Sequence, residues 1–167
     1  RQERTRSLIV SSAVSTADAA LQATMVGWRA AAQACDPDLL FQATYPVNFS
    51  AGWIASHAPA LEAARARYAQ LDFVALLQLI DAFCRLDLTA DLGRIRVPTL
   101  VIVGERDALK PARYFEIIAR GIPGAEFVVV PEAGHAVAWE KPDVFNTLLL
   151  GFALKHRVAG ASAGQRS

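Results

Sequence analysis

Cysteine is scarce in this 167-residue chain, and its scarcity limits the kinds of site the chain can hold. The only two cysteines, Cys35 and Cys84, lack C-x-x-C spacing, so the sequence offers neither a thiolate zinc site nor a disulfide framework. Both lie in apolar segments that predict helices, and we expect them to be buried free thiols. No metal ion and no cofactor is predicted.

Blocks of like charge and long apolar runs are also missing. The 17 basic and 16 acidic residues are mixed along the chain and give a formal net charge of +1, which leaves no electrostatic footprint for nucleic acid or an anionic membrane. No apolar stretch reaches the roughly 18 residues that a membrane span requires, and the first residues are charged rather than signal-like. We therefore expect a cytoplasmic protein with no nucleic-acid or membrane partner, acting on a small uncharged or apolar substrate.

What the chain does have is apolar side chains, which make up 53% of it and suffice for a sizeable core. Its apolar runs are short and continuous, as at 97–103 and 127–131, and such runs are typical of strands that are covered on both faces. After an initial strand within residues 4–12, the second half of the chain alternates strand, helix, strand and helix. This order predicts an α/β fold with about three parallel strands and helices packed on the sheet, the later elements covering 98–103, about 111–120, 126–130 and about 142–155.

The segment between the first two strands, from about 14 to 90, has apolar residues at helical spacing and predicts only helices. Ser15 and Asp18 resemble a capping box for the first of them. A second helix begins at Asp36-Pro37 and is expected to end before Pro46, because proline breaks helix hydrogen bonding. Further helices are expected at about 49–56, 59–70 and 73–85.

Two of the predicted strands lead into residues that can do chemistry together. The strand at 97–103 runs into Asp107, and the strand at 126–130 is followed by His135. Because the carboxyl ends of parallel strands meet at one edge of a sheet, we expect the two side chains within about 2.6–3.2 Å of each other. Such an acid fixes the imidazole, which then accepts a proton from a hydroxyl nucleophile. Glu105 is a weaker candidate for the acid, and a structural turn aspartate and an ordinary loop histidine are the alternatives.

These residues resemble the second half of the α/β-hydrolase family, from residue 4 to about 155. The most specific parts are 96–107 and Gly134-His135, while 4–12 resembles the family's sixth strand and 139–142 its entry to the last helix. The resemblance implies the C-terminal part of that family's parallel sheet with an all-helical cap insertion. It divides the chain into a first core strand, a cap, a C-terminal core with the acid and histidine loops, and a disordered tail, at 1–13, 14–93, 94–157 and 158–167.

The resemblance also implies a cofactor-independent hydrolase of esters, lactones or thioesters, most similar to small esterases and 3-oxoadipate enol-lactone hydrolases. In that family the order is serine, acid, histidine, with the serine in a strand-to-helix turn of pattern G-x-S-x-G. No such turn precedes Asp107, so we expect the nucleophile to lie outside this chain, which would be an inactive fragment by itself. A haloperoxidase-like enzyme, an acyltransferase, a hydrolase with an aspartate nucleophile and a non-catalytic assembly module remain alternatives.

One segment matches the nucleophile pattern by its letters. Gly160-Ala161-Ser162-Ala163-Gly164 lies after the histidine, in a tail of small residues with no strand before it. We therefore reject Ser162 as the nucleophile. The expected partners are the missing N-terminal half or a second copy of the chain, either of which would pair with the strand at 4–12.

Five aromatic residues are weak candidates for lining a substrate pocket: Trp28, Tyr45, Phe49, Trp53 and Trp139. Aromatic residues at helical spacing are more often part of the core, which is the competing interpretation for each. His57 and His156 are expected at the surface or at helix ends.

Overall fold

A three-stranded parallel sheet lies at the centre of the molecule, as the apolar runs predict. The computed structural model describes residues 4–157. Strands β1 (Leu8–Ser11), β2 (Thr99–Gly104) and β3 (Glu126–Val130) are ordered β1-β2-β3, with Leu8 opposite Thr99 and Leu100 opposite Glu126. The predicted α/β class is confirmed. The segment 158–167, predicted as a tail and containing Ser162, lies outside the described residues.

Strand β2 is the most deeply buried element because it has a strand on each side and helices on both faces. All six of its residues are buried. Val101 and Val103 pack with Phe115 of helix α6 (Ala112–Gly121) on one face. Leu100 and Ile102 face the other way and pack with side chains of α7 (Val137–Glu140) and α8 (Pro142–Arg157). Each buried aliphatic side chain of this kind contributes about 1.5–3 kcal/mol, so β2 holds the two layers of helices together.

The segment between β1 and β2 contains five helices followed by a 3₁₀ turn at Thr89–Arg94. Leu21 of the first helix is buried in the same cluster as Val101 of β2, so this helix packs against the sheet as well as against the other helices. The division of the chain into cap and core stays a prediction. The helices are α1 (Ala19–Gln33), α2 (Pro37–Asn48), α3 (Ala51–Ser56), α4 (Ala58–Tyr68) and α5 (Phe73–Cys84).

The start of α1 differs from the expectation. Asp18 is the N-cap, and its Oδ1 accepts a hydrogen bond from the backbone N–H of Leu21 at 3.0 Å. Ser15 is buried instead, with its hydroxyl 3.0 Å from that of Thr89. A serine and an aspartate three residues apart can each cap a helix, and the tertiary contact to Thr89 decides between them.

Helix α2 also differs, because it continues through Pro46 to Asn48. The proline removes a single backbone donor near the end of the helix. A tertiary contact favours the extra turn, since the carbonyl of Asn48 accepts the N–H of Ala136 at 2.8 Å.

The prediction that both cysteines are buried is wrong. Cys35 is exposed and Cys84 is only partly buried. Cys35 follows α1 in a left-handed backbone conformation with φ of 49°, so the chain turns there instead of continuing the apolar face. Both are free thiols. Among the described helices, none has the length and apolarity needed to cross a bilayer.

Candidate active site

Asp107 lies in the turn after β2, at the carboxyl edge of the sheet. Its side chain is only 1% exposed, and Oδ1 accepts a hydrogen bond of 2.7 Å from the backbone N–H of Lys110. An aspartate that bonds to the backbone of its own turn has a restricted side-chain rotamer. The second oxygen, Oδ2, is therefore held in one direction.

His135 lies in the loop after β3 and meets that second oxygen. Its Nδ1 is 2.9 Å from Asp107 Oδ2, so the predicted contact is present in the structure. The backbone carbonyl of His135 accepts a hydrogen bond of 2.9 Å from the hydroxyl of Ser12, which follows β1. The ends of all three strands thus converge on one histidine, whose side chain is 12% exposed. Within residues 4–157, His135 Nε2 has no hydrogen-bond partner.

The acid turn and the histidine loop can approach this closely because residue 104 is a glycine. A Cβ at Gly104 would lie 2.2 Å from the carbonyl oxygen of Gly134 and 2.4 Å from that of Ala133. Both obstacles are backbone atoms, which cannot swing aside as a side chain could. The N–H of Arg106 donates to the carbonyl of Ala133 at 2.8 Å, and this bond closes the contact between the loops.

Glu105 binds the histidine loop but does not contact the imidazole. Its Oε2 accepts a hydrogen bond of 3.0 Å from the backbone N–H of Glu132. Arg106 forms an exposed ion pair with the Glu132 carboxylate at 2.5 Å. Both residues therefore fasten the loop that carries His135, while Asp107 alone of the two candidate acids reaches the ring.

An apolar cleft of about 330 Å³ opens beside the acid turn, between α1 and α5. Leu109 and Lys110, which follow Asp107, line this cleft, and so does the predicted residue Trp28 of α1. Trp28 is held in place by a hydrogen bond of 3.3 Å from its Nε1 to the carbonyl of Ala43. The remaining lining is aliphatic and aromatic, including Met25, Leu79, Ile80 and Phe83.

The other four aromatic candidates are not brought to this cleft. Tyr45 stacks on Phe41, and Phe49 stacks on Trp53 at 4.3 Å between ring centroids. Trp53 borders a second, polar cleft of about 260 Å³ together with His57, whereas Trp139 is 68% exposed.

The remaining two histidines lie away from Asp107. His57 is exposed on the helical segment, as expected. His156 packs its ring against Phe152 at 4.5 Å, near the end of α8.

Lys110 and Glu140 are parts of the site that the sequence did not reveal. Lys110 Nζ donates to the carbonyl of Ser12 at 2.9 Å and lies 5.4 Å from the centre of the Phe83 ring. Burial lowers the pKa of Lys110, and the neighbouring Asp107 carboxylate partly opposes that shift. Glu140 binds both the histidine loop and the start of α3. No local pattern marks either residue, because their partners are distant in the chain. In residues 4–157, no group of three or more His, Cys, Asp or Glu side chains is placed to hold a metal ion.

Comparison with known proteins finds a matching sequence model and similar proteins. Residues 4–148 match the sequence model described as "Alpha/beta hydrolase family". A protein named "Putative carbamate hydrolase RutD" from Azorhizobium caulinodans is 32% identical over 152 residues, which cover 90% of this chain and 57% of that protein.

Solved structures show the same fold. MGS-M2, described as an alpha/beta hydrolase enzyme from a Medee basin deep-sea metagenome library, superposes with a TM-score of 0.81 at 26% identity, covering 86% of this chain and 54% of that one. The enol-lactonase from Burkholderia xenovorans LB400 superposes with a TM-score of 0.75 at 22% identity, covering 89% of this chain and 55% of that one. The chain therefore spans little more than half the length of each of these three relatives.

Proposed function

This chain belongs to the α/β-hydrolase family, and we propose that it carries the acid and the base of a Ser-Asp-His triad whose serine lies outside residues 1–167. The observation that supports this most strongly is the 2.9 Å contact between Asp107 Oδ2 and His135 Nδ1 at the carboxyl ends of adjacent strands. An almost fully buried carboxylate that binds one imidazole nitrogen leaves the other nitrogen to serve as a general base.

In the proposed reaction, Asp107 holds the His135 imidazole with its proton on Nδ1. Nε2 takes the proton of the serine hydroxyl as that oxygen attacks the substrate carbonyl carbon. The imidazolium then returns the proton to the leaving group as the bond to that group breaks, which leaves an acyl-enzyme. A water molecule enters, gives its proton to Nε2 and releases the acid by the same steps in the second half of the cycle.

The substrate class is a carbonyl compound with a heteroatom leaving group, such as an ester, lactone, thioester or carbamate. The cleft beside Asp107 is lined mostly by apolar side chains, which suits a small uncharged or apolar acyl group. Two matched proteins are named a putative carbamate hydrolase and an enol-lactonase, and both names describe hydrolysis of a compound in this class. A cytoplasmic location and independence of cofactors are parts of this proposal, and the free state of both cysteines supports the first.

A fluorophosphonate probe tests the proposal because it labels activated serines and leaves an aspartate nucleophile unlabelled. The complete protein should be labelled at a serine upstream of residue 1, and His135→Ala should abolish labelling. The 167-residue chain by itself should remain unlabelled, with or without the control change Ser162→Ala. Labelling of the chain at Ser162 would contradict the proposal, and ester hydrolysis by an unlabelled complete protein would favour the aspartate-nucleophile alternative.

A further inference from the structure

We propose that Glu140 is a positioning residue for His135. Its carboxylate joins the histidine loop to Ser50, the N-cap residue of helix α3, so the placement of the imidazole depends on the placement of residues 48–50. The catalytic consequence of this inference rests on the function proposed above, whereas its structural part does not.

The contacts of Glu140 link two segments that are far apart in sequence. Oε1 accepts the backbone N–H of Gly134 and the backbone N–H of Ser50, each at 3.0 Å. Oε2 accepts the Ser50 hydroxyl at 2.5 Å. Ser50 precedes Glu140 by 90 residues, so one carboxylate satisfies three donors from two parts of the fold.

Ser50 is a fitting partner because it caps α3. Its Oγ accepts the N–H of Trp53 at 3.3 Å, and the residue is only 5% exposed. In a capping box, a glutamate three residues later in the same helix satisfies the N–H of the cap residue. Here the glutamate comes from α7 instead, and the same carboxylate oxygen also accepts the N–H of Gly134 in the histidine loop.

The histidine loop is fastened on both sides of His135. A Cβ at Gly134 would lie 2.5 Å from the Ser50 nitrogen and 2.6 Å from Glu140 Oε1, so this side of the loop is pressed against the cap residue. On the other side, the N–H of Ala136 donates to the carbonyl of Asn48 at 2.8 Å. Because both neighbours of His135 are bound to residues 48–50 or to their glutamate partner, a shift of this segment moves the imidazole relative to Asp107.

The 2.9 Å bond to Asp107 selects the tautomer of His135 that carries its proton on Nδ1. Nitrogen-15 NMR of labelled histidine reports this tautomer directly. We expect Glu140→Ala to give a mixture of tautomers and to speed solvent exchange of the Nδ1 proton by at least about tenfold. Glu140→Gln should behave like the unchanged protein, because the amide oxygen still accepts both backbone N–H groups and the amide nitrogen can donate to Ser50. A His135→Gln variant assigns the nitrogen-15 signals of His135, because these signals disappear from its spectrum.

A matched control separates positioning from general loss of stability. Tyr68→Phe removes a 2.8 Å hydrogen bond to Thr44 between α2 and α4, without touching the histidine loop. It should leave the tautomer and the exchange rate of His135 unchanged. If Glu140→Ala does not fold, Glu140→Asp keeps the charge on a side chain one methylene shorter and should give the same mixture. A folded Glu140→Ala or Glu140→Asp variant with a single His135 tautomer and unchanged exchange would overturn the proposal, as would an equal effect of Tyr68→Phe.

The complete enzyme provides a second readout. Glu140→Ala should lower kcat about 10-fold to 100-fold with a smaller change in KM, since misplacement of a reacting group affects the chemical step more than binding. An unchanged kcat in a protein whose His135 tautomer is mixed would refute the catalytic consequence only. If the complete protein hydrolyses nothing, the function proposed above fails while the NMR result still decides the role of Glu140.

Discussion

The Asp107 carboxylate is held by two short contacts, one to each of its oxygens. Oδ1 is used by the Lys110 N–H of its own turn and Oδ2 by the imidazole of His135, at 2.7 and 2.9 Å. A buried carboxylate needs such partners, because an unpaired charge at 1% exposure would be costly. The pair is therefore both stable and suited to hold a base in one orientation.

Replacing the base tests this arrangement at the residue scale. In the complete protein, His135→Ala should lower kcat by at least about 10³, because no other group then accepts the nucleophile's proton. The control His57→Ala changes an exposed histidine and should leave kcat unchanged. Steady-state hydrolysis of a small ester measures both. Similar rates for the two variants would remove His135 from the reaction.

Lys110 predicts a pH dependence of stability. Burial lowers its pKa in the folded protein below the ordinary value of 10.5, so between the lowered pKa and 10.5 the unfolded chain binds more protons than the folded chain. The free energy of unfolding then rises with pH across that window. Lys110→Met should remove this rise, as measured by urea unfolding from neutral to alkaline pH.

The control for Lys110 is Lys155, a lysine whose side chain is exposed to solvent. Lys155 pairs with Glu126 at the surface, and its side chain is 59% exposed. Lys155→Met should therefore leave the alkaline slope in place. An alkaline slope that survives Lys110→Met would show that the Lys110 ammonium carries no burial cost.

At the scale of secondary structure, the site exists because the segments after β2 and β3 cross at Gly104. The crossing brings backbone oxygens of residues 133 and 134 to within 2.4 Å of where a Cβ would stand. A strand end can approach another chain segment so closely only without a side chain. The glycine thus determines the distance between the acid turn and the histidine loop.

Substitution at this crossing should be destabilising. Gly104→Ala forces the two loops apart and should lower the free energy of unfolding by about 1–3 kcal/mol, as overpacking does. Gly27→Ala is the matched control, since Gly27 lies in α1 with no atom within 4 Å of its Cβ position, and it should stabilise the protein by about 0.5–1 kcal/mol. Denaturant unfolding measures both. A neutral Gly104→Ala would mean that the crossing is loose.

At the scale of the whole molecule, the sheet has an unprotected edge at β1. Leu8 donates its backbone N–H to the carbonyl of Pro98 at 2.9 Å. The backbone N–H and C=O groups of successive β1 residues therefore point alternately toward β2 and away from the sheet. Leu8–Ser11 contains no proline and no charge that would discourage another strand from pairing. We propose that this edge binds a further strand, either from the rest of the protein or from a second copy of the chain.

The oligomeric state tests this proposal. The 167-residue chain should sediment as a dimer or larger assembly at tens of micromolar. Ile9→Pro should favour the monomer. The backbone N–H of Ile9 points away from β2, and proline removes this donor, which an added strand would use. Ile9→Val keeps that donor and should still associate. A stable monomer of the unchanged chain would contradict the proposal.

The α/β class, the parallel arrangement of the strands and the meeting of Asp107 with His135 were predictable from the sequence. Each depends on short-range features: an apolar run long enough for a buried strand, a polar residue just after it, and helical periodicity between runs. Parallel strands joined through helices then bring their carboxyl ends to one edge without further information. Local features of the sequence therefore determine both the fold class and the contact between the two side chains.

The tertiary structure alone decided which residues support that pair. Whether Ser15 or Asp18 caps α1, whether α2 continues past Pro46 and whether Cys35 is buried depend on neighbours that local propensity does not describe. The link from Glu140 to Ser50 spans 90 residues, and the contact of Lys110 with Ser12 spans 98. Hydrogen bonds between such distant groups leave no periodic signal in the chain. They form because a buried donor or acceptor must find a partner, and only the packed fold determines which partner is near.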